Sequence, residues 1–347
     1  MELDYYFKEA IKRNASDLHL VEGSVPSLRI YGDLIKMNEP PIPTGELKYA
    51  VYREIDKKTR DRFERKRDVD LSMEFYGNRF RVNLHYQRDS IGLAARLVVK
   101  NIPMPDEIGF TETMYRFTHL RDGLILVTGP SGVGKSTTLA VMLDLINSER
   151  RSHIITIEDP IEYVFEEKQS IIEQRQLGSD TTSFADALKY ALRQDPNVIM
   201  VGEMRDLETM SAALTAAKTG HLVLSTLHTT TAAETIERII DYFPIQNHQQ
   251  IAHQLASVLR AVVAQQLLPR KDGGLVAARE ILINNTAVAN LIRHGQYEQI
   301  QTVIQTGARE GMITMNKAID HLLARGLISN HTAQNRKRDM ETKAVYY

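Results

Sequence analysis

The first hundred residues alternate between short helical and short strand patterns. Apolar positions in residues 5–13 have helical spacing, and the strongly charged residues 57–67 predict a second helix. Several stretches alternate polar with apolar side chains, which is the pattern of half-buried strands. They cover residues 18–21, 27–31, 70–75, 79–86 and 92–98. The pattern predicts a small α/β domain.

From residue 124 the pattern changes to short aliphatic runs, each followed by a helical segment. The runs lie at residues 124–128, 154–157, 198–201 and 222–225. The helical segments lie at residues 135–146, 183–193 and 207–218. This alternation predicts a parallel sheet covered by helices on both faces. A Lys-Asp-Gly-Gly turn at residues 271–274 predicts a hairpin, and the chain beyond it is mostly helical.

The change of pattern divides the chain of 347 residues into two domains. The best linker candidate is the stretch from Asn101 to Asp106, because Pro103 and Pro105 cannot continue a helix or a central strand. We therefore expect an N-terminal domain at 1–100, a linker at 101–111 and a second domain at 112–347.

Composition and charge exclude several classes of protein. The chain has 43 basic and 44 acidic residues, a net charge of −1, which argues against a surface coated for nucleic acid. With no cysteine, it has no disulfide framework, thiol nucleophile or cysteine-based zinc site. The amino terminus lacks a signal-peptide pattern, and no apolar run approaches the ~20 residues needed to cross a bilayer. The expected location is the cytoplasm.

A phosphate-binding loop follows the first aliphatic run. Residues 129–136 fit the pattern G-x-x-x-x-G-K-[ST] at every fixed position, between a strand and a helix. The glycines let backbone N–H groups point into one hollow, Lys135 would reach the β and γ phosphates, and Ser136 would ligate Mg²⁺. The candidate nucleotide ligands are Gly129, Pro130, Ser131, Gly132, Val133, Gly134, Lys135, Ser136 and Thr137. This pattern predicts that the chain binds a nucleoside triphosphate.

Acidic residues follow two further aliphatic runs. Glu158 and Glu162 come after the run at 154–157, and Glu203 comes after Gly202 at the end of the run at 198–201. The carboxyl ends of parallel strands form the ligand crevice, so these acids are expected beside the phosphate loop. Hydrolysis needs one carboxylate near Mg²⁺ and another to orient the attacking water. From its spacing, Glu162 is our first choice for the catalytic base and Glu158 the second, whereas Glu203 is the metal-side candidate.

Two histidines bracket the run at 222–225. His221 and His228 are separated by seven positions, so on an extended chain they point to opposite faces and make a poor metal pair. One or both could sense the γ-phosphate or bond across a subunit junction. The alternative is that they are buried structural histidines.

Together these residues resemble a known family. In order along the chain stand the phosphate loop, Thr156-Ile157-Glu158-Asp159-Pro160-Ile161-Glu162, Val201-Gly202-Glu203-Met204-Arg205-Asp206, and Thr219-Gly220-His221 through His228-Thr229. They resemble the Walker A, Asp, Walker B and His boxes of the secretion-superfamily hexameric ATPases. Within that superfamily the chain is similar to the type IV pilus retraction ATPases, the PilT family.

The resemblance implies a fold, a mechanism and partners. The fold is α/β: a small PAS-like N-terminal domain followed by a RecA-like P-loop ATPase domain with a helical C-terminal region. The protein would be a homohexamer that hydrolyses ATP with Mg²⁺ and acts on an inner-membrane pilus platform protein at the cytoplasmic face. Membrane association would be peripheral, through that partner, and a paralogous motor ATPase could assist. Family members also place N-terminal arginines against the nucleotide, for which Arg81 and Arg96 are the candidates here; the alternative is solvated strand charges.

The predicted helix at residues 287–294 bears on which subfamily the chain resembles. Residues 287–294 match the frame of a family helix associated with retraction, but Ala289 and His294 replace two polar positions. We expect polar replacement of Leu291 and Ile292 to block retraction and to leave ATP hydrolysis intact, unless the helix is plain core. Pilus-assembly and type II secretion ATPases usually carry four zinc-binding cysteines, and this chain has none.

Other classes of function compete with the motor. A RecA-like helicase or other nucleic-acid motor draws support from residues 57–67, which hold seven basic and two acidic side chains. We interpret that stretch as a solvated helix face and expect no direct nucleic-acid binding. The other alternative is a nucleotide-gated switch with little turnover. The presence of Lys135, Glu162 and Glu203, which hydrolysis would require, argues against it. No Asn-Lys-x-Asp motif supports a GTPase.

Overall fold

The structure is a computed structural model that describes residues 1–30, 33–98 and 101–337. The chain divides into two compact units, Met1–Asn101 and Ile102–Tyr347. The break falls within the proline-containing stretch that begins at Asn101. The two units are described separately below.

The first unit is a six-stranded antiparallel sheet with three helices. Its elements are α1 (Leu3–Lys12), β1 (Asp17–Val21), β2 (Ser27–Ile30), β3 (Asp33–Lys36), α2 (Glu46–Glu54), α3 (Lys57–Lys66), β4 (Asp68–Phe75), β5 (Asn78–Gln87) and β6 (Ser90–Leu97). The strand order is β3-β2-β1-β6-β5-β4. The predicted helices and strands are confirmed within the described residues; Tyr31, the expected last residue of one strand, lies outside them.

Alternation of side chains gives this sheet one apolar and one polar face. Along β4 the buried positions are Val69, Met73 and Phe75, with polar residues between them. The apolar face packs on α1, where Phe7 stacks on Phe75 with ring centroids 3.9 Å apart and meets Phe80 edge-on at 4.7 Å. Aromatic side chains thus supply much of the core of a unit of only about a hundred residues.

The basic helix α3 has a structural reason to form. Asp56 caps its first turn by accepting a hydrogen bond from the Thr59 amide at 2.6 Å. The helix buries Phe63, which stacks on Tyr86 at 5.0 Å. Its charged side chains surround this single apolar anchor, and Arg67 pairs with Glu64.

The second unit alternates strands and helices and ends in helices. Its elements are α4 (Glu112–Thr118), β7 (Gly123–Thr128), α5 (Lys135–Glu149), β8 (His153–Glu158), β9 (Ile171–Gln176), α6 (Phe184–Ala191), β10 (Val198–Val201), α7 (Leu207–Lys218), β11 (Leu222–Leu227), α8 (Ala232–Asp241), α9 (His248–Val258), β12 (Leu259–Pro269), β13 (Leu275–Ile283), α10 (Thr286–Arg293), α11 (Ile300–Thr306), α12 (Met315–Ala324) and α13 (Asn330–Arg336). Single 3₁₀ turns form at Pro105–Ile108, Ile245–Asn247, Tyr297–Gln299 and Gly307–Glu310.

Seven strands form the sheet of this unit, in the order β13-β12-β7-β11-β10-β8-β9. All neighbours are parallel except β12 and β13, the hairpin predicted from the Lys-Asp-Gly-Gly turn. β7 and β11 are buried along their whole length because helices cover both faces. The four aliphatic runs predicted as strands are confirmed. The sequence pattern did not predict β9, and it gave no bounds for the two strands of the hairpin.

Parallel order brings several loops to one edge of the sheet. The carboxyl ends of β7, β8, β10 and β11 meet there, and each is followed by residues of one of the four boxes. Among the helices of the described ranges 1–30, 33–98 and 101–337, none has the length and hydropathy required of a membrane span.

The packing of α3 generates a prediction about its role. Replacing Phe63 by Ala should lower the free energy of unfolding by ~3–5 kcal/mol, because the buried ring leaves a cavity. Replacing exposed Lys58 by Ala should change it by less than about 0.5 kcal/mol. Urea unfolding of both variants measures this. An equal loss of unfolding free energy in the two variants would contradict the conclusion that Phe63 anchors the helix.

Candidate nucleotide-binding site

The phosphate loop connects β7 to α5 and its backbone requires glycine. Gly129, Gly132 and Gly134 have φ values of 141°, 79° and 82°, where side chains are strained. A Cβ on Gly129 would lie 2.5 Å from the carbonyl oxygen of Gln265 on β12. The loop is therefore pressed against the neighbouring strand, and only a glycine fits between them.

Lys135 begins α5 beneath the loop. Its side chain is 8% exposed, and Nζ donates hydrogen bonds to the carbonyl oxygens of Gly129 at 2.8 Å and Pro130 at 3.0 Å. Burial lowers the pKa of Lys135, whereas the nearby carboxylates of Glu203 and Glu162 act in the opposite direction. The ammonium group therefore lies in the field of both predicted acids, and these three residues are brought together.

The remaining loop residues differ in exposure and contacts. Pro130, Ser131 and Gly132 are exposed, and Val133 and Gly134 are half-buried. Ser136 and Thr137 occupy the first turn of α5, where backbone N–H groups have no intrahelical partner. The hydroxyl of Thr137 lies 2.9 Å from that of Tyr163, which our sequence analysis did not identify. All nine predicted nucleotide ligands of this loop thus lie together.

Glu158 and Glu162 have contrasting surroundings. Glu158 ends β8 and is buried; its carboxylate accepts hydrogen bonds from Thr156 Oγ1 at 2.6 Å, Gln174 Nε2 at 3.2 Å and the Glu162 amide at 3.4 Å. Burial raises the pKa of Glu158. Glu162, four residues later, is exposed. Glu158 therefore fastens the loop that presents Glu162 to the site.

Glu203 follows β10 and is the centre of a small charged cluster. One carboxylate oxygen pairs with Arg205, and the other lies 3.3 Å from His228 Nε2. His228 is exposed at the carboxyl end of β11, so the second of the two histidines joins the same edge of the sheet as the phosphate loop.

His221 lies at the opposite edge of the sheet from the phosphate loop, so within one chain the structure does not bring it to the predicted nucleotide ligands. It precedes β11, where its carbonyl pairs with Gly123 at the start of β7. Six extended residues separate that end from the phosphate loop, about 20 Å of strand. Its ring contacts Thr219 and the Ala216 carbonyl instead.

Arg81 and Arg96 lie on the polar face of the sheet in the first unit. They are opposite each other in the pairing of β5 and β6, so both side chains leave the same face of the sheet, and both are exposed. Arg96 Nε donates to Asp17 at 2.8 Å, and Arg29 Nε lies 3.9 Å from the same carboxylate. Arg96 is thus partly neutralised by Asp17.

The burial of Ile292 and the packing of Leu291 on helix α10 favour the alternative that this helix is part of the core. Ile292 is fully buried in the main core of the unit, and Leu291 packs against that core. Polar replacements there would disturb packing rather than an exposed surface. Ala287, Asn290 and His294 are the exposed positions of residues 287–294.

The chemistry of the site fits Mg²⁺ bound with a nucleotide. Magnesium prefers oxygen ligands and usually takes one or two from protein, with phosphate and water supplying the rest. The Ser136 hydroxyl, next to Lys135 on α5, and the Glu203 carboxylate, whose charge opposes the effect of burial on the pKa of Lys135, offer such oxygens. Both are partly accessible, at the edge of the sheet where the phosphate loop opens.

The fold and this geometry define a P-loop nucleotide-binding protein of the RecA-like class. Residues 88–342 match the sequence profile of the family described as "Type II/IV secretion system protein". The chain belongs to this family.

Individual relatives match over almost the whole chain. The "Type IV pilus retractation ATPase PilT" of Pseudomonas aeruginosa is 43% identical over 97% of this chain and 98% of its own length. A "Twitching motility protein" of Neisseria gonorrhoeae is also 43% identical, over 91% of this chain and 85% of its own. A crystal structure of the pilus retraction motor PilT with bound ADP superposes with a TM-score of 0.92, at 45% identity and 98% coverage of both chains.

The environment of Glu158 predicts a pH dependence. Because its pKa is raised on folding, its contribution to stability is full below the unfolded-state pKa of ~4.3 and is lost as the pH rises through the folded-state value. Glu158→Gln should therefore gain in melting temperature relative to the unmodified protein as the pH is raised. Thermal unfolding from about pH 4 to about pH 8 measures the difference.

The matched control is Glu166→Gln, an exposed residue of the same loop. Its melting curve should run parallel to that of the unmodified protein across the pH range. A Glu158→Gln curve that is equally parallel would contradict a buried, destabilised carboxylate.

Proposed function

We propose that this protein is a Mg²⁺-dependent ATPase motor that powers type IV pilus retraction. The observation that carries the proposal is the phosphate loop with Lys135 beneath it, in the field of Glu203 and Glu162 at one sheet edge. Similarity to PilT over nearly the full length of both chains supports the choice of this function within the family.

Binding of ATP would redirect Lys135. Its ammonium group donates to two carbonyls of its own loop, and the β and γ phosphates offer stronger, charged acceptors. Loop N–H groups and the amino end of α5 hold the same phosphates. The Ser136 hydroxyl and Glu203 would hold Mg²⁺, whose chemistry here is to neutralise charge on the phosphate oxygens.

Glu162 is the general base of the proposed reaction. It is exposed on the loop fastened by Glu158, and an accessible carboxylate can accept a proton from a water that attacks the γ-phosphate. Glu158 is a positioning residue, because its oxygens are engaged with Thr156, Gln174 and the Glu162 amide. His228 and Arg205 orient the Glu203 carboxylate.

Residues distant from the loop would act through assembly. We propose a homohexamer at the cytoplasmic face of the inner membrane, acting on the pilus platform protein. In the ring, His221 and the arginines Arg81 and Arg96 would act at nucleotide sites formed between chains. An arginine that stabilises charge on the γ-phosphoryl group is worth ~10³–10⁵ in rate in GTPases.

Nucleic-acid binding has less support. The basic residues of α3 surround a structural anchor, and acidic Asp56, Asp61 and Glu64 lie among them, so the helix is not a continuous phosphate-binding surface. Single-stranded DNA in the assay tests this class of function directly.

Turnover and binding of nucleotide test the proposal. The purified protein should form a hexamer by light scattering and release phosphate from Mg-ATP at a rate unchanged by single-stranded DNA. Lys135→Ala should weaken both ADP binding and turnover, because the loop loses its cation. Glu203→Ala should keep ADP binding and lose turnover.

In cells, deletion of the gene should leave pili on the surface and abolish twitching, and Lys135→Ala should not restore it. Turnover stimulated by DNA would favour a nucleic-acid motor, and tight ATP binding without turnover would favour a switch. Undiminished hydrolysis by Glu203→Ala would refute the assignment of that residue.

The choice between the two acids has its own test. Glu162→Gln should lower kcat by ~10²–10⁴-fold with little change in ADP affinity, since a general base is lost and the loop is retained. Glu158→Gln should lower it less. Glu166→Gln is the matched control and should behave as the unmodified protein. A larger loss for Glu158→Gln than for Glu162→Gln would reverse the two roles.

A further inference from the structure

A row of buried polar side chains lies beneath the phosphate loop, on the hairpin of β12 and β13. Gln265 and Arg279 are opposite each other in its register and are 2% and 5% exposed. Residues 261–264 of β12, directly before Gln265, are apolar and buried, so a buried amide and guanidinium are unexpected in this position. Neither residue has a role in the chemistry proposed above.

Gln265 bonds with both its polar atoms. The amide Nε2 donates to the carbonyl oxygen of Val133, inside the phosphate loop. The oxygen Oε1 accepts from Thr138 Oγ1 at 2.9 Å and from Arg279 Nε at 3.0 Å. The side chain therefore connects the loop, the first turns of α5 and the edge strand β13.

Arg279 extends the same network to another segment. One terminal nitrogen donates to the carbonyl oxygens of Ile108 at 2.8 Å and Gly109 at 2.9 Å, at the end of the 3₁₀ turn Pro105–Ile108. The other lies 3.5 Å from Thr138 Oγ1. These partners are neutral oxygens, and burial lowers the pKa of Arg279 to about 10. Burying a cation among neutral groups is costly, which indicates a role beyond packing.

The geometry of the peptide bond gives the contact with Val133 a functional meaning. The carbonyl of Val133 and the N–H of Gly134 belong to one planar trans peptide and point in opposite directions. When Gln265 holds the carbonyl from beneath, the N–H is turned towards the hollow of the loop. Backbone N–H groups pointing into that hollow are what bind phosphate oxygens.

We propose that Gln265 and Arg279 are positioning residues for the phosphate loop: Gln265 orients the Val133–Gly134 peptide, and Arg279 ties it to residues 105–109. The inference rests on the proposed ATP-binding function and adds to it. Because the loop and residues 105–109 share one buried network, a nucleotide that orders the loop also orders that segment.

Replacing Gln265 by Glu separates positioning from packing. The carboxylate keeps an acceptor for Thr138 and gains an ionic bond to Arg279, but it has no donor for the Val133 carbonyl. The variant should melt at or above the temperature of the unmodified protein and yet bind ADP about ten-fold more weakly, the equivalent of one lost buried hydrogen bond. KM for ATP should rise by a similar factor, with kcat less affected.

The matched control is Gln266→Glu. This neighbour points to the other face of β12, is half-buried, and introduces the same charge. Its ADP affinity should equal that of the unmodified protein. Should Gln265→Glu fail to fold, Gln265→Met, which lacks both polar atoms, replaces it in the same assay.

The results separate this inference from the proposed function. If the unmodified protein neither binds nor hydrolyses ATP, the proposed function fails. If it does both, and folded Gln265→Glu or Gln265→Met binds ADP as tightly, then only the positioning role is overturned. A loss of affinity that merely follows a loss of melting temperature would also overturn it.

The proposed coupling of Arg279 to residues 105–109 is tested by a separate measurement. Hydrogen exchange of a peptide covering this segment should slow when ADP binds to the unmodified protein. In Arg279→Met, which removes the donors to Ile108 and Gly109, ADP should leave that exchange unchanged. Equal protection in both proteins would overturn the coupling.

Discussion

The structure of the site depends on one constraint: the backbone N–H groups of the phosphate loop must face a single hollow. The buried strand β7 delivers the chain to the loop, and α5 leads it away with unpaired N–H groups of its own. Left-handed glycines make the turn possible, and their lack of side chains lets β12 approach from beneath to 2.5 Å of a would-be Cβ. The roles proposed for Lys135, Glu162 and Glu203 depend on their position beside this loop. The parallel order of the strands brings them to the same edge of the sheet.

Glu158 and Glu162 show how burial can give two residues of the same type different roles. Glu158 is held by three hydrogen bonds in the interior, where its ionised form is disfavoured, whereas Glu162 remains exposed. Residue type is the same in both, so the difference arises from the position of each along the chain: one completes a buried strand and the other stands on the loop beyond it. Glu158 fixes the loop, and Glu162 would act from it, so the two carboxylates have complementary roles in one site.

Much of the fold could be predicted from the sequence, because buried parallel strands are continuous aliphatic runs such as residues 198–201. Strand β9 was missed since its sequence, Ile-Ile-Glu-Gln-Arg-Gln, is that of a solvated edge and shows no such run. The phosphate loop and the acids were predicted from spacing. Spacing indicated that His221 and His228 lie at the two ends of one strand, but it could not predict which side chains each of them contacts. It also left open whether Leu291 and Ile292 belong to the core, because a helix pattern does not say which face is covered. Gln265 could have been noticed as an amide that directly follows the apolar residues 261–264; its contact with Val133 could not.

The network beneath the loop also has a consequence for biosynthesis. Gln265 lies 132 positions after Val133, and Arg279 lies 171 after Ile108, so these contacts close across most of the second unit. Long-range contacts form late, since loop-closure entropy opposes them until the partner segments exist. A nascent chain that has emerged as far as α8 already contains every residue of the four boxes, but it lacks the hairpin that supports the loop. If Gln265 and Arg279 position the loop as proposed, full affinity for nucleotide is acquired only when β13 has been synthesised.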